Sequence, residues 1–191
     1  MENLFLVCLI PPVSIVEDIE VIRNDISIKY NVLESLKRPV HITLYNPVKI
    51  DSLVTEKEFF KALENASYME SFSQILKNFN SFPQHTFYID VEQNANLMKL
   101  QAQIKAELKP LKLIPSKDII KFTPHLTIAF RDIKPMVYDS IMEEYKQKNF
   151  KRSFPVSGFS VYKHIDKSWR PFREFEFKNP DLKPKPLSLF D

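Results

Sequence analysis

Arg38-Pro-Val-His-Ile-Thr-Leu-Tyr45 and Phe122-Thr-Pro-His-Leu-Thr-Ile-Ala129 are two versions of one pattern: His, apolar, Thr, apolar, with a proline just upstream. The chain of 191 residues holds only four His and five Thr. By composition alone, roughly one sequence in a few hundred would carry two His-x-Thr triplets by chance. Side chains alternate faces along a strand, so His41 and Thr43 share one face while Ile42 and Leu44 share the other. His125 and Thr127 stand opposite Leu126 and Ile128 in the same way. Each strand therefore has a core face and a site face.

Working outward from these two strands, residues 4–10 form a continuous apolar run ended by Pro11-Pro12, which predicts a buried strand. Ile19, Ile22, Ile26 and Tyr30 recur every three or four residues and predict a helix over 16–32. The first His strand spans 40–45, bracketed by Pro39 and Pro47, residues that sit poorly inside a central ladder. A helix over 55–66 opens at Thr55, and strands over 70–79 and 85–92 pair around Ser81-Phe-Pro. Leu97, Leu100, Ile104 and Leu108 mark a helix over 94–108. A strand at 127–130, a helix over 136–147 and two closing strands near 154–163 and 170–177 complete the chain. The fold class is α+β, with strands and helices in two similar rounds, each holding a His strand. If a pseudo-twofold relates the rounds, the four polar side chains converge on a single cleft. Residues 1–178 read as one domain and 179–191, with three prolines, as a loosely ordered tail.

Composition narrows the function. Gly158 is the only glycine, which excludes glycine-rich phosphate loops and dinucleotide fingerprints. Cys8 is the only cysteine and lies in an apolar run, so neither a disulfide within the chain nor a Cys-based zinc site is available. The net charge of +3 is compatible with an anionic substrate but falls short of a nucleic-acid coat. The apolar N-terminal stretch is too short for a membrane span and has Glu2 where a signal peptide would be basic. A soluble, cytoplasmic monomer is expected.

Cleaving a phosphodiester requires a base for the attacking oxygen and an acid for the leaving oxygen, and His serves either role near neutral pH. A Thr hydroxyl two residues along can donate to a non-bridging phosphate oxygen. The scheme needs neither metal nor cofactor. Zinc is the sharper rival, yet His41, His85, His125 and His164 have no short ligand spacing, and no acidic residue lies within two positions of His41 or His125. His85 and His164 lack the Thr of the motif and are expected to be structural or exposed. Arg38, Lys121 and Arg131 flank the motifs and are candidates to hold neighbouring phosphates, the alternative being solvated surface cations. Tyr45, Phe130, Tyr162 and Trp169 are candidates to stack a base, although with 16 Phe most aromatics must be core.

His41-Ile-Thr43-Leu and His125-Leu-Thr127-Ile, with Pro124 before the second His, resemble the motifs of the two-histidine (2H) phosphoesterase superfamily, which includes 2′-5′ RNA ligase and RNA 2′,3′-cyclic phosphodiesterase proteins. The resemblance runs from about Leu4 to Phe177. It implies a bilobal fold of two antiparallel sheets with flanking helices about a central cleft. It also implies that His41 and His125 are catalytic and that Thr43 and Thr127 bind phosphate. The implied substrates are 2′,3′-cyclic phosphates at RNA ends, 2′-5′ linkages or small cyclic nucleotides. Three activities stay open: hydrolysis, ligation as its reverse, and RNA or nucleotide binding without turnover.

Overall fold

In the computed structural model, which describes residues 3–83, 85–116 and 121–183, the chain runs β1 (Leu4–Leu9), α1 (Val13–Tyr30), β2 (Ile42–Lys49), α2 (Leu53–Ala66), β3 (Phe72–Phe82) and β4 (Thr86–Val91). It continues through α3 (Ala95–Leu108), β5 (His125–Phe130), α4 (Pro135–Tyr145), β6 (Lys151–Val156), β7 (Gly158–Ile165) and β8 (Ser168–Glu176). Residues 184–191 of the proline-rich tail lie outside the described residues.

Among the described residues the strands form one antiparallel sheet of eight, ordered β6-β3-β4-β5-β2-β1-β7-β8, rather than the two sheets expected. The two expected lobes survive as half-sheets of four, stitched at the middle by the residue pair Ile42↔Leu126. That stitch is one residue pair long, so the half-sheets meet only at their two His strands. Read from the centre, β2-β1-β7-β8 mirrors β5-β4-β3-β6, and the succession β1-α1-β2-α2 repeats as β4-α3-β5-α4.

One face of the sheet is apolar and carries the helices. Ile42, Leu44, Leu126 and Ile128 are fully buried there with Phe5, Val7 and Ile89, under Ile19 and Ile26 of α1, Phe59 and Leu63 of α2 and Leu100 and Ile104 of α3. At ~25 cal/mol per Å² of buried apolar area, this two-sided layer is the main stabilising term. The helices cross over: α1 packs on β5 and α3 on β2. Asp18 of α1 accepts from Arg152 of β6 at 2.7 Å, and Asp25 accepts from Tyr145 of α4 at 3.3 Å. Each round thus lends a helix to the other half-sheet, which locks the halves together despite their short seam.

Three boundaries differ from the pattern-based reading for identifiable reasons. β2 runs through Pro47 to Lys49, because Leu4↔Lys49, Phe5↔Val48 and Val7↔Tyr45 leave Asn46 and Pro47 in a bulge where no ladder N–H is needed. α2 opens at Leu53, since the Ser52 hydroxyl accepts from Val54 N at 3.2 Å and serves as the cap in place of Thr55. The expected strand over 154–163 is two strands broken at Ser157, β6 pairing with β3 in one half and β7 with β1 in the other. Gly158 begins the second, and a Cβ there would lie 2.4 Å from the Phe175 carbonyl oxygen. The chain's one glycine thus stands at a close backbone approach where it passes between half-sheets.

Candidate active site

His41, Thr43, His125 and Thr127 line one cleft of about 530 Å³, on the side of β2 and β5 away from Ile42, Leu44, Leu126 and Ile128. The Ile42↔Leu126 pairing, extended one residue each way, sets His41 across from Thr127 and Thr43 across from His125. Each His is therefore in register with a Thr of the other half-sheet, and all four line the cleft. The two rings are tethered alike: His41 Nδ1 lies 2.7 Å from the Pro39 carbonyl oxygen and His125 Nδ1 lies 2.8 Å from that of Thr123. A carbonyl only accepts, so Nδ1 carries the proton in the neutral ring and Nε2 is the end free to exchange one.

The surroundings are less alike. Burial pushes His41 down to about 4, and the charges of Arg38, Arg23 and His125 add to the effect against the opposing Pro39 carbonyl. His125 is also lowered, by burial first, but the Thr123 carbonyl and the Asp90 carboxylate pull it back. Asp90 is the cross-strand partner of His125 on β4 and accepts from Asn80 Nδ2 at 3.0 Å. Phe82 and Tyr88 pack on the His125 ring, with centroids 5.0 and 5.1 Å away. On the other half, Cys8 stands opposite Thr43 where Tyr88 stands opposite Thr127. Cys8 is buried, and burial pushes its thiol up, which keeps it an inert wall.

The family model described as 2′-5′ RNA ligase superfamily matches residues 11–168, a span that contains both His strands. The chain belongs to the 2′-5′ RNA ligase superfamily. Solved structures agree on the fold. Escherichia coli LigT complexed with 3′-AMP is 15% identical, covers 94% of this chain and 100% of its own, and superposes with a TM-score of 0.68. TT0787 of Thermus thermophilus is 15% identical with a TM-score of 0.69, covering 94% of this chain and 99% of its own. LigT complexed with NADP+ is 17% identical with a TM-score of 0.65, covering 93% and 99%. No curated protein matches this chain by sequence.

In this member of the 2′-5′ RNA ligase superfamily the cleft also brings in Arg38, Phe130 and Arg131. The other candidates lie elsewhere. Tyr45, two residues or ~7 Å past Thr43 along β2, opens onto a second cleft of about 430 Å³ with Gln101 and Lys105. Tyr162 shares the sheet face of Thr43 but sits two strands away, ~10 Å across the sheet. Trp169 stands on the outermost strand and packs on His164, with centroids 5.2 Å apart. Lys121 is exposed and lies outside the cleft lining.

Six cleft residues are absent from the pattern-based set: Arg23, Ser35, Pro39, Phe82, His85 and Thr86. Arg23 is 2% exposed, donates to Glu20 at 2.8 Å and to the Arg38 carbonyl oxygen at 3.0 Å, and its Nε finds no acceptor among the described residues. A signal for it existed. Arg23 falls between Ile19 and Ile26 on the buried stripe of α1, where an unpaired cation is costly. His85 had none, because the β3–β4 turn that carries it to the rim is brought there by strand pairing.

Proposed function

We propose that this chain is a metal-independent phosphodiesterase that opens 2′,3′-cyclic phosphates at RNA ends or cleaves 2′-5′-linked and small cyclic nucleotides. The observation that carries the reading is the pair of carbonyl-tethered histidines, each in register with a threonine of the opposite half-sheet and all four lining one cleft. The Thr43 and Thr127 hydroxyls donate to the non-bridging phosphate oxygens, whose charge grows as the phosphorus becomes five-coordinate. His41, held neutral by burial and three neighbouring cations, is the base: its Nε2 takes a proton from the attacking water as the new P–O bond forms. His125, with Asp90 beside it, is the acid: its Nε2–H protonates the ribose oxygen as the old P–O bond breaks. Structures of LigT holding 3′-AMP and NADP+ support nucleotides as the ligand class.

The test is product analysis by chromatography on a panel of 2′,3′-cyclic and 2′-5′-linked nucleotides. Turnover that survives EDTA and drops at least ~10³-fold in His41→Ala and in His125→Ala is expected. Turnover abolished by chelation, or retained in both single variants, overturns the reading, and binding without product makes the protein a nucleotide binder. Joined 2′-5′ product from excess cleaved ends would show the same site running in reverse.

The kcat/KM profile should be bell-shaped, rising through the His41 value of about 4 and falling through a His125 value below 6.5. Its optimum for the free enzyme is therefore acidic. The kcat profile should lie at higher pH, because a bound phosphate stabilises imidazolium.

A further inference from the structure

At the end of the cleft beyond His41 and Thr127, two guanidinium groups are held against one ring. Arg38 lies 5.1 Å and Arg131 5.3 Å from the Phe130 centroid. The charge of Arg131 is felt at Arg38, where it adds to burial in making the protonated form less favourable. No carboxylate among the described residues forms an ion pair with either. Glu34, whose charge reaches Arg38, is engaged by Lys37, and Asp132 Oδ2 accepts from the backbone of Leu33 at 2.7 Å and Glu34 at 3.0 Å. The backbone is also strained: Arg131 has φ 71° at the tip of a three-residue turn closed by Asp132 N to Phe130 O at 3.0 Å. A branched or long side chain rarely adopts that conformation without a reason in the surroundings. Asp132 pins this turn to the segment that carries Arg38, so the backbones bearing the two cations are held together.

Two cations without an ion-paired carboxylate among the described residues, Arg38 half-buried and Arg131 exposed, line one end of the cleft and suit an anion there. The His and Thr side chains already account for the phosphate that reacts. Phe130 stands three residues beyond Thr127, ~10 Å along the strand, a distance the arginine side chains shorten further. We propose that Arg38 and Arg131 clamp a second, unreactive phosphate, so that the preferred substrate carries one besides the phosphodiester that is cleaved. This rests on the phosphodiesterase reading above. A 5′-terminal phosphate on the same nucleotide and the linking phosphate of a preceding nucleotide share this chemistry.

The experiment compares adenosine 2′,3′-cyclic phosphate bearing a 5′-hydroxyl, the same compound bearing a 5′-phosphate, and the ApA dinucleotide ending in a 2′,3′-cyclic phosphate. Wild type should favour at least one phosphate-bearing substrate by roughly 10- to 100-fold in kcat/KM, mainly through KM, with the advantage falling as salt rises. Preference for the 5′-phosphate alone identifies a terminal group, and preference for the dinucleotide alone a linking one. In Arg131→Met and in Arg38→Met/Arg131→Met the ratio between substrates should shrink towards unity. Equal kcat/KM for all three in wild type, or a preference that persists in the double variant, overturns the clamp. If wild type turns over none of them, the phosphodiesterase reading has failed instead, and calorimetry then tests the clamp alone. Adenosine 3′,5′-bisphosphate should bind at least tenfold more tightly than adenosine 3′-monophosphate, and this difference should vanish in the double variant. Equal binding of the two in wild type overturns it.

Discussion

The His41 half and the His125 half of the cleft share a strand, a motif and a tether but not their neighbours. Both rings hang from a carbonyl two residues upstream, and both have a buried apolar residue on the reverse of the strand. Around His41 the charges are positive, from Arg23 and Arg38. Around His125 the charge is negative, from Asp90, with Phe82 and Tyr88 packed on the ring. Where Asp90 pairs with His125, the matching register on the other half, one step past Leu9↔Ile42, arrives at Ile10 after β1 has ended. Repetition of the strand supplies matched geometry, and the flanking strands and helix set the charge around each ring.

The largest test of that difference exchanges the leaving group. An aryl phosphodiester, whose phenolate leaves without protonation, should recover at least ~10²-fold of the activity lost in His125→Ala and almost none of that lost in His41→Ala. Rescue of His41→Ala instead would reverse the roles. Next in size is stability. The folded value of His41, about 4, lies below its unfolded value near 6.5, so the unfolded chain takes up the proton first as pH falls. Stability present above pH 6.5 should decline by up to ~3 kcal/mol as pH falls through 4, and urea melts at pH 7 and 4.5 should show a smaller gap in His41→Asn than in wild type.

Thr43→Val and Thr127→Val should each cost about 10²-fold in kcat with little change in fold, because each removes one donor to the transition state. Losses that differ by more than tenfold would show the phosphate leaning on one half. The smallest effect is the most specific: Asp90→Asn should move the alkaline limb of the kcat/KM profile to lower pH and leave the acid limb in place. Movement of both limbs would mean that Asp90 acts on the cleft as a whole rather than on His125.

Much of this was legible in local pattern. A period of two assigns His41 and Thr43 to one face and Ile42 and Leu44 to the other, and the burial of these residues follows that alternation. Arg38 and Arg131 were accessible for the same reason, being close in sequence to the motifs. Arg23 was readable only as an exception to an apolar stripe, and Asp90, Phe82 and His85 depended on which strand lies beside β5, a matter of long-range pairing. The bulge that absorbs Pro47 and the break at Ser157 were equally hidden, since each exists through its partner strand.

By itself, the sequence determined the chemical inventory: two His-x-Thr strands, each with a core face and a polar face, because side-chain alternation is a property of one strand. Tertiary structure alone decided that the strands meet at Ile42 and Leu126, that one sheet rather than two holds them, and that Arg23 and Asp90 arrive on opposite sides. Those outcomes turn on desolvation and charge between segments far apart in the chain, and neither acts until the helices and half-sheets have packed.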